Sequence, residues 1–238
     1  MNVFELLGFG SGSWGGLLCM AALMTLAVTV CSLAVGAVLG GFVAWAKLSK
    51  NLPARVLGDA YTTVFRGVPE LLVIYLIYFG GTSVATAVGT YMGGEGFVDL
   101  PPFIASIFAV GVISGSYQAE VYRGAFLAIV RGEIEAARSL GMPKLMLFRR
   151  IIMPQILRFA LPGLGNVWQM TLKDSALISV TGLAELMRSS QVAAGSTHRY
   201  FLFYVVGGGL YLVLTSISNR IFDKAEARVG KSFRRAIG

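Results

Sequence analysis

The residues able to do chemistry are few, and they stand inside or beside long apolar stretches. Glu120 and Arg123 close one such stretch, Lys173 and Asp174 interrupt another, and Arg66 and Glu70 flank the start of a third. An ionisable group at membrane depth is expensive unless it meets a partner, a solute or water, which makes each a functional candidate. Tyr117, Glu120 and Gly124 recur at helical spacing and share one face. Glu120 could receive a cationic solute there, or pair with Arg123 and fix packing. Lys173 and Asp174 are adjacent, so they cannot face each other on one helix. Each needs another partner, a solute or a break in the helix. They lie roughly 18 Å beyond Leu161, near the middle of a bilayer. Tyr117, Glu120, Lys173 and Asp174 are therefore candidates for a solute pathway. Arg66 and Glu70, at i and i+4, read as a local pair or a gate-region contact.

Other chemistry lacks its parts. One histidine, His198, and two cysteines, Cys19 and Cys31, make no zinc or iron set. The cysteines are twelve residues apart, roughly 18 Å on a helix and beyond disulfide reach. Gly10 to Gly15 fits GxGxxG, but no strand precedes it and no βαβ unit surrounds it. Gly230-Lys231-Ser232 resembles the end of a phosphate loop, but Ala225 stands where the first glycine belongs. No nucleophile, base and orienting acid are assembled, so an enzyme of the membrane interior is not expected.

These residues need membrane helices to position them. Of 238 residues, 55% are hydrophobic and 13% charged. A typical soluble domain carries about 25% charge, and a soluble core cannot hide this much apolar surface. The chain reads as an all-α integral membrane protein. Apolar stretches near 17–45, 68–88, 100–119, 161–182 and 200–219 predict five transmembrane helices, each about 20 residues or longer. No basic residue precedes the first, so it is expected to be a retained span rather than a cleaved signal.

Charge orients the spans. Lys47, Lys50, Arg55 and Arg66 fall in one loop. Arg131, Arg138, Lys144, Arg149, Arg150 and Arg158 fall in a second. Arg220, Lys224, Arg228, Lys231, Arg234 and Arg235 fall in the tail. These sixteen share a side, against Arg188 and Arg199 on the other. The positive-inside rule then places the N-terminus outside and the C-terminus in the cytoplasm. The same rule explains the net charge of +8 without nucleic acid. Gly36 with Gly40 and Gly111 with Gly115 are small-xxx-small pairs, which read as close helix packing.

The second basic loop carries a motif. Glu133 to Leu140 predicts a short helix with Glu133 and Glu135 in its first turn, where the helix dipole favours acids. Gly141 should end it in the left-handed conformation, and Pro143 should prevent its resumption. Lys144 begins a second helix with Leu145, Phe148, Ile151 and Ile152 at helical spacing. Taken physically, this is a helix-turn-helix under the membrane, and an amphipathic anchor would look the same.

The spacing Glu135-Ala136-Ala137, three residues, Gly141, nine residues, Ile151, one residue, Met153, Pro154 resembles the EAA loop of type I ABC importer permeases. Met153 replaces the usual Leu, a swap that conserves volume. Phe65 to Leu72, Leu161 to Asn166 and Leu172 to Leu177 resemble segments of the polar amino-acid branch, most closely the Q-type permeases of histidine/arginine and opine uptake. The resemblance covers nearly the whole chain. It implies one permease domain over 1–238, with a cytoplasmic coupling loop at 131–160 between the third and fourth spans. It further implies a bacterial inner-membrane subunit that forms half of a pathway for a polar, basic amino acid or opine. The implied partners are an ABC ATPase dimer, a second permease subunit (a related M-type subunit or a second copy), a periplasmic solute-binding protein and membrane lipid. The chain itself would hold no cofactor, with ATP and magnesium used by the ATPase. Glu135, Ala136, Ala137, Gly141 and Pro154 would couple to that ATPase. The competing reading is a small membrane channel or structural subunit whose basic loop only anchors it.

Overall fold

The computed structural model describes residues 3–10, 12–93, 96 and 99–237. Ser11 of the GxGxxG match and Gly94 and Glu95 of the outer loop lie outside the described residues. After one helical turn at Val3–Leu6, the long elements are α1 (Gly15–Leu48), α2 (Leu52–Gly67), α3 (Glu70–Tyr91) and α4 (Pro102–Leu127). Then come α5 (Arg131–Ser139), α6 (Lys144–Leu147), α7 (Met153–Asp174), α8 (Leu186–Thr197) and α9 (Tyr200–Ile237). Among the described residues there is no strand.

Four helices are long and apolar enough to cross a membrane: α1, α3, α4 and α9. The stretch expected as the fourth of five spans is built differently. α7 ends at Asp174, and Ser175–Thr181 continues it as a 3₁₀-helix. Asn166, Gln169, Lys173 and Asp174 dilute its apolar character. Of the alternatives weighed for Lys173-Asp174, a break in the helix takes the form of a change from α to 3₁₀ directly after Asp174. α4 runs eight residues past the expected end of its span and takes in Glu120 and Arg123.

Glycines decide how α1 meets α4. A Cβ at Gly40 would stand 2.8 Å from the Gly115 carbonyl oxygen, and one at Gly36 would collide with Ser114 and Gln118. Gly115 in turn faces the Gly36 carbonyl. The two small-xxx-small pairs are thus each other's partners, and the backbones approach closely enough for side chains to bond across. Gln118 Nε2 donates to the Leu33 carbonyl at 3.2 Å, and Ser114 Oγ donates to the Ser32 carbonyl at 3.4 Å.

Chain direction follows from a few contacts. Trp14 and Phe203 meet with ring centroids 6.1 Å apart, so α1 and α9 begin at the same end. Lys47 meets Glu120, so α1 and α4 finish together at the other end. Trp168 meets Phe222 at 6.0 Å and Gln169 Nε2 donates to Asn219 Oδ1 at 2.8 Å, so α7 returns against α9.

α2 occupies residues the charge pattern treats as loop. Its amphipathic turns lie against α1 and α4: Tyr61 Oη donates to the Val112 carbonyl at 2.6 Å. Pro69 forces Val68 into an extended conformation, φ −95° and ψ 138°, which separates α2 from α3.

Candidate functional site

Three groups of polar side chains sit along the bundle. The first gathers at Tyr117. Its hydroxyl donates to Glu70 Oε1 at 3.4 Å, and the Arg66 guanidinium carbon stands 5.4 Å from its ring centroid. Asp174, at the end of α7, is close enough to feel the charges of Glu70 and Lys173, and its own charge reaches Tyr117. Its carboxylate makes no hydrogen bond or ion pair among the described residues. Glu70 meets the phenol directly, and Asp174 lies within electrostatic range of both. Such a site favours a cation between them, and an aromatic face adds to the attraction.

This arrangement corrects two expectations. Arg66 and Glu70 are not an i, i+4 helical pair, because the extended Val68 lies between them. Each meets Tyr117 instead. Tyr117 and Glu120, grouped by spacing, also go to different neighbourhoods.

Glu120 belongs to the second group. Lys47 Nζ, whose side chain is 8% exposed, donates to Glu120 Oε1, to Thr62 Oγ1 at 2.7 Å, and pairs with Asp59 Oδ1 at 3.0 Å. Arg123 Nε and Nη2 take the other Glu120 oxygen at 3.0 and 2.9 Å. The packing alternative weighed for Glu120 is thus the one its geometry satisfies. Both carboxylate oxygens are occupied, and the cluster joins α1, α2 and α4. Gly58 makes room for it, since a Cβ there would stand 2.7 Å from Lys47 Cγ.

The third group is the loop. α5 begins at Arg131, two residues earlier than expected, so Glu133 alone lies in its first turn and Glu135 moves to the second. Gly141 has φ +73°. Its N–H donates to the Arg138 carbonyl at 2.9 Å, and Met142 N–H to the Ala137 carbonyl at 3.2 Å. Those two bonds make a Schellman turn, the left-handed stop expected at this glycine. The apolar face differs from expectation. Leu147 and Ile152 are buried with Ile129 and Ala137, while Leu145 is 69% and Leu140 86% exposed. A π-turn at Phe148–Ile152 shifts the register between them. Glu135 and Ala136 are exposed and Ala137 is buried. Ala136, Ala137, Leu140 and Pro154 help to line an open cavity of about 410 Å³. Gln155 Nε2 ties the loop to α7 by donating to Glu133 Oε2.

No motif or spacing singles out Glu185. It is fully buried and accepts from Met187 N–H at 2.8 Å, from Arg188 N–H at 2.6 Å and from Tyr211 Oη at 3.0 Å. A Glu in the N-cap position is a weak signal, since Ser, Thr, Asp and Asn dominate there.

Comparison with known proteins agrees with this architecture. Residues 36–231 match the family described as binding-protein-dependent transport system inner membrane component. The octopine transport system permease protein OccQ of Rhizobium meliloti is 49% identical over 237 residues, covering all of both chains. The nopaline permease NocQ of Agrobacterium fabrum is 48% identical, covering 96% of this chain and 98% of its own. The histidine/lysine/arginine/ornithine permease HisQ of Escherichia coli is 39% identical, covering 94% and 97%. A crystal structure of an amino acid ABC transporter with histidines matches with TM-score 0.77 and 33% identity, covering 96% of this chain and all of the other. The methionine transporter MetNI, at 20% identity and TM-score 0.70, shares the fold. These matches favour a permease over a small channel or an anchoring subunit. The chain belongs to the binding-protein-dependent inner-membrane component family, as a non-catalytic, multi-pass permease subunit of an ABC importer whose ATPase is a separate partner.

Proposed function

We propose that this permease carries a cationic amino acid or an opine, and that Glu70, Tyr117 and Asp174 line its half of the pathway. The observation that carries the reading is the contact of Glu70 with Tyr117, with Asp174 within electrostatic range of both. A guanidinium or ammonium arriving there relieves the repulsion between like charges that low dielectric makes costly. Lys173 and Arg66, both exposed, balance the acids. Glu120 acts through packing, as the partner of Lys47 and Arg123. Relatives named for octopine, nopaline and basic amino acids support the same class of solute.

Five spans with the N-terminus outside fit the alternating directions of α1, α3, α4, α7 and α9. Glu135, Ala136, Ala137, Gly141 and Pro154 then face the cytoplasm. Leu140 and Leu145, exposed beyond the apolar spans, suit docking on a protein groove. The partners of this reading are an ABC ATPase dimer, a second permease subunit and a periplasmic solute-binding protein.

The test is uptake by the complete complex in vesicles. Glu70→Gln or Asp174→Asn should lower the maximal uptake of a cationic solute about tenfold or more, since a charge-assisted contact is lost. ATPase co-purification should not change. Unaltered uptake in both variants would overturn the reading.

A further inference from the structure

The inner end of α1 carries an open apolar groove of about 590 Å³ that lies outside the three polar groups. Along α1 its lining runs from Ala37 to Ser49. Tyr122 and Phe126 of α4 also line it, as do Phe148 and Leu157 on either side of the start of α7. Twelve residues of helix cover roughly 18 Å. The hydrocarbon of one leaflet, half of a core about 30 Å thick, is roughly 15 Å deep. The groove therefore has the length of one acyl layer, and it ends where α1 leaves the apolar region.

Its chemistry suits a hydrocarbon chain and not an amino acid. No charged side chain lines it, so a zwitterionic or cationic solute would lose its hydration there without a partner. The two hydroxyls in the lining already donate elsewhere. Tyr122 Oη donates to Gln118 Oε1 at 2.8 Å, and Ser49 Oγ donates to the Asn51 carbonyl at 3.3 Å. Trp45, which also lines the groove, is 71% exposed and stands where aromatic side chains mark the edge of a bilayer. Charge gathers at the same end. Ser49 is followed by Lys50 and Phe148 by Arg149, and both basic residues are exposed and make no ion pair among the described residues. Lys47, by contrast, is turned inward and already paired with Glu120 and Asp59. An apolar slot with basic residues at its polar end is complementary to an anionic lipid.

We propose that this groove seats one anionic phospholipid, with an acyl chain along α1 and the phosphate held by Lys50 and Arg149. The lipid then bridges α1 and the joint between the coupling loop and α7. Phe148 belongs to the π-turn at Phe148–Ile152 that makes this joint, and such turns recur at functional positions. Placing the lipid in the cytoplasmic leaflet rests on the orientation read from charge, whereas the site itself does not.

The test uses the purified complete complex in phosphatidylcholine nanodiscs. A trace of phosphatidylglycerol with a diazirine on one acyl chain serves as probe, and the matching phosphatidylcholine as its control. After irradiation, adducts are mapped by peptide mass spectrometry. The phosphatidylglycerol probe should label residues 37–48 and 148–157 about five- to twentyfold more than the control, since each basic residue near an anionic headgroup contributes about fivefold. Gly41→Trp grows into the groove, because nothing stands within 4 Å of its missing Cβ. It should cut this labelling about fivefold or more at unchanged abundance of the complex. Lys50→Gln with Arg149→Gln should lower the phosphatidylglycerol yield to that of the control and leave the control as it was. Equal labelling by both probes in the wild type would show ordinary annular lipid only and overturn the proposal. Undiminished labelling in Gly41→Trp would overturn it as well. Reaction of Lys144→Cys with an impermeant reagent from outside would overturn the leaflet assignment alone.

Discussion

The Tyr117 hydroxyl meets Glu70 Oε1 at 3.4 Å, across a break between α2 and α3 that Pro69 imposes. The contact brings the first turn of α3 against the middle of α4. Because Glu70 opens a helix, its carboxylate also sits where the helix dipole favours an anion.

The Lys47 cluster should matter for assembly more than for selectivity. Lys47→Met leaves Glu120 with Arg123 alone and removes the ammonium from Thr62 and Asp59. A loss of about 1–3 kcal/mol is expected, the range for hydrogen bonds to charged groups. Thermal unfolding of the purified complex should register it. A melting temperature equal to wild type in the single variant would show that the cluster carries no stability.

The α1–α4 contact should be intolerant of volume. Gly40→Leu would drive side-chain carbons into the Gly115 carbonyl and Gln118. Overpacking of this kind costs about 1–3 kcal/mol, and separating the backbones would also break the Gln118 to Leu33 bond. Membrane abundance should fall. Gly41→Leu, one residue on, meets open space and should be neutral.

Gly141 should respond to backbone conformation rather than to size. At φ +73° with nothing near its missing Cβ, the penalty for a side chain is conformational, about 1 kcal/mol. Asn visits this conformation more readily than Val, so Gly141→Asn should couple better than Gly141→Val. Gly141→Asp adds a negative charge at a helix C-terminus, where the dipole disfavours it. It should insert at normal abundance and lose ATPase binding or coupled uptake. Equal transport by all three variants would return the loop to a plain anchor.

Orientation is open to labelling. In a background without Cys19 and Cys31, Met92→Cys should react with an impermeant reagent from outside, and Lys144→Cys only after permeabilisation. Labelling of both from one face would contradict the alternation of the spans.

Much of this was legible because membrane physics writes itself into local sequence. Long apolar runs marked the four helices able to cross a membrane, and Gly141 with Pro143 marked the turn. Gly36, Gly40, Gly111 and Gly115 announced packing without naming their partners. Pairings across the fold left no such trace. Lys47 and Glu120 are 73 residues apart, and Glu185 finds Tyr211 on another helix. The helix of α2 was hidden by its charges: Arg55, Asp59 and Arg66 read as a loop, although Asn51 and Pro53 could have signalled a helix start. Pro69 was likewise a sufficient warning against pairing Arg66 with Glu70 at helical spacing.

The claim that Glu70 and Asp174 select a cation can be measured most directly by comparing arginine with citrulline, its uncharged near-isostere. The purified permease–ATPase complex should bind arginine at least about tenfold more tightly, a preference that one charge-assisted contact can supply. In Glu70→Gln combined with Asp174→Asn, the two affinities should converge through loss of arginine binding, with citrulline affected little. An arginine preference that survives in the double variant would contradict the account.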